Sequence, residues 1–175
     1  MRRWLIWLPL IVFAGLVVLV ASELSAPSDR VVRSKLVDKP LPGFALAPIV
    51  PGKPGLKTGD FVGGPPRLLN VFASWCVPCI AEAPQLMALK RAGVRIDAIA
   101  IRDAPADVRR FLARYGDPYA SIGDDAERRV QIALGSSGVP ETFYVDSRGR
   151  IARQHVGDIR PEDVPEVLRT LEGMK

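Results

Sequence analysis

A short apolar segment in the middle of the chain, residues 67–73 with the sequence RLLNVFA, is the feature that most constrains the fold. Its length and composition are typical of a strand that is buried on both faces, as the strands of parallel sheets are. The sequence predicts a helix directly after it, at residues 77–92, and a second buried strand at residues 94–101. This succession of strand, helix and strand predicts an α/β sandwich in which helices flank a central sheet.

The rest of the domain is predicted to contain further helices and a terminal hairpin. The predicted elements are a short edge strand at 44–46, helices at 105–115, about 125–134 and 161–172, a short segment at 119–122, and strands at 142–145 and 150–155. Because a turn at 146–149 joins the last two strands as a hairpin, the sheet is mixed in direction. In the helix at 77–92, apolar residues recur at helical spacing as Ile80, Pro84, Met87 and Ala88.

An uncharged stretch of eighteen residues, 4–21, precedes this domain. Its length is near the lower limit for crossing a hydrocarbon core about 30 Å thick, and the preceding Arg2 and Arg3 favour a cytoplasmic N-terminus. A cleaved signal peptide is the alternative, although the stretch is longer than its usual apolar part; a buried helix would show a polar stripe. The sequence therefore predicts a cytoplasmic stub and transmembrane anchor at 1–22, a tether at 23–40 and one folded domain at 41–175.

Composition excludes several classes of function. The chain has 175 residues, which allow one domain beyond the anchor. Its net charge is +5, but acidic residues are interspersed among the basic ones, so a nucleic-acid-binding stripe is not predicted. Two cysteines and one histidine are too few for a closed zinc site made of these ligands or for a disulfide-rich scaffold.

The two cysteines, Cys76 and Cys79, lie where the first buried strand passes into its helix. Ligand chemistry in α/β folds is concentrated at this end of the strands. At a helix start, two cysteines three residues apart can approach closely enough for a disulfide, and the partial positive charge there lowers the pKa of Cys76 below the free value of about 8.5. We expect Cys76 to be the nucleophile and the less exposed Cys79 to resolve the mixed disulfide. Pro78 suits the first turn because it has no N–H.

Three alternatives to a redox role are open to these cysteines. A structural disulfide across so short a loop stabilises the fold little. A metal site would need two more ligands than the pair provides, and His155 alone is too few. Two buried free cysteines that lie together by chance are the third alternative. The position of the pair between strand and helix, beside Trp75 and Pro78, favours a redox pair.

Two segments resemble the thioredoxin family. Residues 72–84, FASWCVPCIAEAP, are similar to its active-site strand and helix, including a helix-kinking proline five residues after the second cysteine. Residues 138–142, GVPET, resemble its cis-proline loop. The resemblance implies a cis bond before Pro140, a position of Pro140 against the disulfide, and a backbone edge at Val139 that binds an extended substrate segment.

A finer resemblance, over roughly residues 36–171, is to the membrane-anchored thioredoxin-like proteins of cytochrome c maturation, the CcmG or DsbE type. The segments that carry it are RLLNVFASWC, GVPETF, GDPY and RQHVGDIRP. It implies that Glu82 and Glu141 form acidic surroundings of the active site. The alternatives are an ordinary solvated helix residue and an ordinary loop residue. Val77 and Pro78 stand in place of the Pro-Thr pair common in the family, and these intervening residues help to determine the redox potential.

In function, this resemblance implies a single-pass protein of the bacterial inner membrane whose catalytic domain is periplasmic. Such proteins reduce the haem-attachment cysteines of apocytochrome c, acting on apocytochrome c or on its thiol-handling chaperone. They draw electrons from a membrane thiol transporter of the DsbD or CcdA type and need no cofactor, metal or nucleic acid. Two alternatives are a tethered thioredoxin-like protein that reduces another client, such as an oxidase copper-site protein, and a non-redox module that binds apocytochrome.

Overall fold

The computed structural model of the chain describes residues 7–25 and 35–174, which belong to two compact units. The smaller unit contains helix α1, Leu8–Ser25, whose large apolar side chains up to Val17 are exposed. The first part of the predicted stub and anchor, residues 1–6, and half of the predicted tether, residues 26–34, lie outside the described residues. Within the described ranges, none of the helices combines the length and the apolarity that a bilayer crossing requires.

The larger unit has a five-stranded central sheet, a two-stranded sheet and flanking helices. Its strands are β1 (Ala45–Leu46), β2 (Leu56–Lys57), β3 (Arg67–Phe72), β4 (Ile96–Ile101), β5 (Ser121–Asp125), β6 (Glu141–Val145) and β7 (Ile151–Val156). Its α-helices are α2 (Val77–Arg91), α3 (Pro105–Tyr115), α4 (Arg129–Ala133) and α5 (Val164–Gly173), with 3₁₀ turns at Thr58–Phe61 and Pro161–Asp163.

The central sheet has the strand order β5-β4-β3-β6-β7 and is mixed, as predicted. Strand β3 pairs in parallel with β4 and antiparallel with β6, while β6 and β7 form the terminal hairpin. Every residue of β3 and β4 is buried, because both faces of the sheet are covered at its centre. The prediction of a thioredoxin-like α/β sandwich is therefore confirmed for this unit.

Helix α2 continues β3 after a four-residue turn and ends where the sequence predicts. Cys76 is its N-cap, Pro84 lies inside it, and Gly93 follows it with a left-handed backbone conformation, φ +87°. The buried face of the helix consists of Cys79, Glu82, Ala83, Leu86 and Leu89. The apolar series predicted from spacing, Ile80, Pro84, Met87 and Ala88, is not this face, because a buried glutamate interrupts the apolar stripe that marks a core-facing helix.

Helix α4 is shorter than the predicted helix at 125–134. Asp125 is still part of β5, and its carboxylate accepts a hydrogen bond from the Gln131 N–H at 2.8 Å. Arg128 has a left-handed conformation, φ +59°, which the right-handed helix cannot include. The helix therefore begins only at Arg129.

The β1–β2 pair packs closely on β5 at Gly123. An isolated bridge joins Pro48 to Gly123, and a Cβ atom on Gly123 would lie 2.7 Å from the Cβ of Leu46 and 3.3 Å from that of Leu56. Such contacts are much shorter than ordinary van der Waals separations. A glycine is therefore required where the small sheet meets the central one.

Replacing Gly123 with alanine should lower the free energy of unfolding by about 1 to 3 kcal/mol, because the added methyl group overpacks this contact. Urea denaturation of the Gly123→Ala variant measures the effect. Gly43→Ala is the matched control, since a Cβ at Gly43 meets no atom within 4 Å. Equal stabilities of the two variants would contradict the packing argument.

Candidate active site

The two cysteines form a disulfide at the N-terminus of α2. The Cα atoms of Cys76 and Cys79 are 5.2 Å apart, and the Cys79 N–H donates to the Cys76 Sγ at 3.2 Å. Cys76 is 4% exposed and Cys79 is 1% exposed, so Cys76 is the more accessible residue, although by a small margin. A nucleophile at this position accepts a hydrogen bond from a backbone N–H and lies at the positive end of the helix dipole.

An apolar rim surrounds the disulfide. Trp75 is 57% exposed and Val77 is 73% exposed, and Pro78 beside them is also exposed. The Trp75 indole N–H donates to the Arg102 carbonyl oxygen at 3.1 Å, which fixes the ring against the loop that follows β4. An open groove of about 650 Å³ lies beside this ring. The rim is therefore apolar, whereas the groove has both apolar and charged lining residues, among them Phe111 and Arg110.

The predicted cis bond between Val139 and Pro140 is present. Pro140 is buried and directly precedes β6, whose first residue, Glu141, is paired with Val71 of β3. Because β3 leads towards Cys76, this register places the cis-proline loop at the same end of the sheet as the disulfide. Within residues 7–25 and 35–174, no group hydrogen-bonds the backbone of Val139.

Glu141 is a buried strand residue and not the solvated loop residue that was the alternative. Its carboxylate accepts hydrogen bonds from the Ser136 hydroxyl at 2.6 Å and the Ser137 N–H at 2.9 Å. The side-chain amide of Gln154 on β7 also donates to it. Glu141 therefore holds the segment before the cis-proline loop against the terminal hairpin.

Glu82 is likewise fully buried, at 0% exposure, one turn beyond Cys79 on α2. Its two oxygens accept from the Asn70 side-chain amide at 3.0 Å and the Ile159 N–H at 3.1 Å. Burial raises the pKa of Glu82 from 4.5 to about 7; the two hydrogen bonds act in the opposite direction, and Asp158 adds a smaller increase. The alternative of a solvated helix residue does not fit this position.

Asn70 connects Glu82 to strand β6 and to the segment that precedes β5. Its side-chain N–H₂ also donates to the Thr142 hydroxyl at 3.0 Å, and its oxygen accepts from the Tyr119 hydroxyl at 2.9 Å. Burial, followed by the charges of Glu82 and Asp117, raises the pKa of Tyr119 well above its usual value, so the hydroxyl stays a donor. We call Asn70, Glu82, Tyr119 and Thr142 the buried polar network.

The sequence-based reasoning missed three members of this network: Asn70, Tyr119 and Thr142. One signal was available, because Asn70 is the only non-charged polar residue in the segment RLLNVFA. A polar side chain on a strand buried on both faces must find hydrogen-bond partners inside the protein. The identity of those partners depends on the pairing of β3 with its neighbours, which the sequence does not reveal.

The nine predicted site residues fall into two groups. Residues 75–79 and Glu82 lie at the β3–α2 junction and on the first turns of α2, and residues 139–141 lie at the same sheet end. Among residues 7–25 and 35–174, no group of three or more His, Cys, Asp or Glu side chains could hold a metal ion. A cysteine pair with this geometry, on a sheet flanked in this way, defines a thiol-disulfide oxidoreductase of the thioredoxin fold.

Comparison with known proteins gives the family. Residues 37–171 match the redoxin family. The thiol:disulfide interchange protein HelX of Rhodobacter capsulatus is 35% identical over 164 residues, which cover 94% of this chain and 92% of HelX. The thiol:disulfide interchange protein DsbE of Escherichia coli K12 is 32% identical over 177 residues, covering 98% of this chain and 95% of DsbE.

A solved structure agrees on the fold. The crystal structure of a thioredoxin-family thiol:disulfide interchange protein from Chlorobium tepidum matches with a TM-score of 0.62 at 21% identity, over 79% of this chain and 98% of the other. The chain belongs to the redoxin family and, within it, to the thiol:disulfide interchange proteins related to DsbE and HelX.

The buried carboxyl of Glu82 should make the stability of the oxidised protein pH-dependent. With a pKa of about 7 when folded and 4.5 when unfolded, the folded state binds more protons between these values. The resulting stability is fully present below pH 4.5 and is lost as the pH rises through 7, by an amount on the order of 3 kcal/mol. Urea denaturation between pH 4.5 and 8.5 measures the loss.

The Glu82→Gln variant should lack this component of the pH dependence, because glutamine does not titrate. Glu172→Gln, which changes an exposed helix residue, is the control and should keep the wild-type profile. A Glu82→Gln profile that runs parallel to the wild-type profile would contradict the raised pKa.

Proposed function

We propose that this protein is a periplasmic reductant that keeps the haem-attachment cysteines of apocytochrome c in the dithiol state. The observation that carries the reducing direction is the buried Glu82 carboxyl, one helical turn beyond Cys79. Similarity to DsbE and HelX supports thiol-disulfide exchange, and the resemblance of GVPETF and RQHVGDIRP to the cytochrome c maturation type supports the client.

In the proposed reaction, the Cys76 thiolate attacks one sulfur of a client disulfide. A bond forms between Cys76 and that sulfur, the client S–S bond breaks, and the second client sulfur leaves as a thiolate that takes up a proton. The Cys79 thiolate then attacks the Cys76 Sγ and releases the first client sulfur. Two electrons have passed to the client, and the protein is left with the Cys76–Cys79 disulfide that the structure contains.

Glu82 favours the reducing direction through charge. An ionised carboxylate near the cysteines repels a negative charge on sulfur. The reduced form, which contains the thiolate, is therefore less stable. A less stable reduced form gives up its electrons more readily, whereas strong oxidants have a stabilised reduced form. Because the pKa of Glu82 is about 7, this effect should grow as the pH rises above neutrality.

The client would bind as an extended segment along the cis-proline loop. The Val139 backbone has no hydrogen-bond partner among the described residues and lies at the sheet end that carries the disulfide. An extended peptide can use such an edge as a strand uses its neighbour. The exposed Trp75 and Val77 would contact apolar side chains of the client next to its cysteines.

The proposed function also requires a periplasmic location and a supply of electrons. The uncharged stretch at 4–21, with Arg2 and Arg3 before it, would anchor the chain in the inner membrane and leave residues 41–175 in the periplasm after a tether at 23–40. Exchange leaves the protein oxidised after each turnover, so a partner must return two electrons. A membrane thiol transporter of the DsbD or CcdA type, facing the same compartment, fits this requirement.

The Cys79→Ser variant should accumulate mixed disulfides with its clients, because no thiol remains to release them from Cys76. We expect proteins with haem-attachment cysteines, or their chaperone, to be trapped in the membrane fraction of cells that produce c-type cytochromes. Non-reducing electrophoresis followed by identification of the released partners measures this outcome.

The Cys76→Ser variant is the matched control and should trap none of these clients, since it lacks the attacking sulfur. Trapped copper-site proteins would instead support a different client for the same chemistry. Normal cytochrome c maturation in Cys79→Ser cells, with no trapped partner, would favour a non-redox binding module. Recovery of the protein in the soluble fraction would contradict the anchor.

The reduction potential of the wild-type protein should be more negative than about −180 mV, and the Glu82→Gln potential should be less negative than the wild-type one by about 10 to 30 mV at pH 8. At pH 5.5, where Glu82 is protonated, the two potentials should coincide. Equilibration with glutathione measures both, and Glu162→Gln, an exposed residue, is the control. A wild-type potential near the value of about −120 mV of a strong oxidant would refute the reductant assignment.

A further inference from the structure

The loop that follows β4 binds the turn leading into Cys76 through a carboxylate. Asp103 accepts hydrogen bonds from the Ser74 N–H at 2.5 Å and the Ser74 hydroxyl at 2.7 Å, one on each carboxylate oxygen. The Ala104 N–H at the start of α3 donates to the same oxygen as the hydroxyl, at 2.9 Å. Both oxygens of Asp103 are therefore engaged, and two of the three donors belong to one residue of the active-site turn.

The same loop also holds the next residue of that turn. The Trp75 indole N–H donates to the carbonyl oxygen of Arg102, which has a left-handed backbone conformation, φ +44°. A non-glycine residue in this region is unusual and persists only when surrounding contacts maintain it. Ser74 and Trp75 are thus both bound by consecutive residues of the β4–α3 loop, immediately before Cys76.

We propose that Asp103 is a positioning residue for thiol-disulfide exchange: its carboxylate fixes the turn that presents Cys76, and its negative charge opposes the Cys76 thiolate. Ser74 is two residues before Cys76, and Asp103 binds both its N–H and its hydroxyl, so the carboxylate is attached to the turn that leads into the nucleophile. The helix N-terminus stabilises the thiolate and Asp103 acts against it. This inference rests on the proposed role of Cys76 as the attacking nucleophile.

The other charged groups near the turn have partners outside it. Asp107, Arg110 and Arg114 on α3 line the groove that also contains Ser74 and Trp75. Asp107 forms an ion pair with Arg110, and the Arg114 guanidinium lies over the Tyr115 ring, 5.4 Å from its centroid. Glu82 is part of the buried polar network, where it accepts from Asn70 and Ile159. Of these groups, Asp103 is the one hydrogen-bonded to the turn itself.

The experiment measures the pH profile of Cys76 alkylation by iodoacetamide in the reduced full-length protein. The Asp103→Asn variant loses the charge and should react roughly threefold faster below the midpoint of the profile, with the midpoint moved to lower pH, as expected for loss of a neighbouring screened charge. Its equilibrium with glutathione should shift roughly threefold towards the reduced protein.

Two controls separate charge from structure. Ser74→Ala keeps the Asp103 charge while removing one hydrogen bond, so its midpoint should equal that of the wild-type protein even if its thermal stability falls. Asp146→Asn alters a carboxylate that accepts two backbone N–H groups in the turn after β6, at the opposite end of β3. It should change neither the midpoint nor the equilibrium.

An Asp103→Asn variant with lowered thermal stability but an unchanged midpoint would overturn the proposal and leave Asp103 a structural residue only. The same midpoint shift in Ser74→Ala would also overturn it, because the shift would then come from loosening of the turn. If iodoacetamide modifies Cys79 and not Cys76, the assigned nucleophile is wrong, which contradicts the proposed function independently of Asp103.

Discussion

The structure around the active site depends on the hydrogen bonds that one polar side chain, Asn70, makes in the middle of the sheet. Asn70 lies on β3, where all six residues are buried, and its amide has partners on two other elements and one loop: Glu82 on α2, Thr142 on β6 and Tyr119 in the segment before β5. A buried amide without partners would cost several kcal/mol, whereas a fully bonded one specifies which elements pack together. The network therefore fixes α2, with its cysteines, relative to β3, to the neighbouring strand β6 and to the segment before β5.

The sequence predicted the elements well where hydrophobic periodicity and glycine or proline boundaries agree. Helix α3 spans the predicted residues, and Gly93 and Gly116 follow their helices with positive φ angles. The prediction was weaker where polar residues are buried. Glu82 was as compatible with a solvated face as with a buried one, so the apolar spacing of α2 did not identify its buried face. Local periodicity contains no information about a distant amide that accepts or donates across the core.

The residues of the active site also fall into those that the sequence predicts and those that it does not. Cys76 and Cys79 could be assigned from residue chemistry and position, because a helix N-terminus after a buried strand is a local feature. The cis bond at Pro140 came only from resemblance to a family, since the cis state of an X-Pro bond is a minority state that no spacing pattern predicts. Asn70, Tyr119 and Asp103 act through side-chain contacts that span 12 to 72 residues of sequence. Their roles follow from strand pairing and loop approach, which appear only in three dimensions.

These contacts place opposing electrostatic influences on one sulfur. The N-terminus of α2 stabilises a Cys76 thiolate, while in the proposed mechanism two carboxylates, Asp103 on the β4–α3 loop and Glu82 on α2, oppose it. The Glu82 carboxyl has a pKa of about 7, so it ionises in the pH range in which a cysteine with a lowered pKa also loses its proton. Groups that titrate together and repel one another share their protons, and the resulting macroscopic pKa values belong to the set and not to a single residue. If Glu82 opposes the thiolate as proposed, the reducing strength of the pair is a property of the buried polar network as much as of the two sulfurs, because any change that alters the protonation of Glu82 would also alter the free energy of the reduced state.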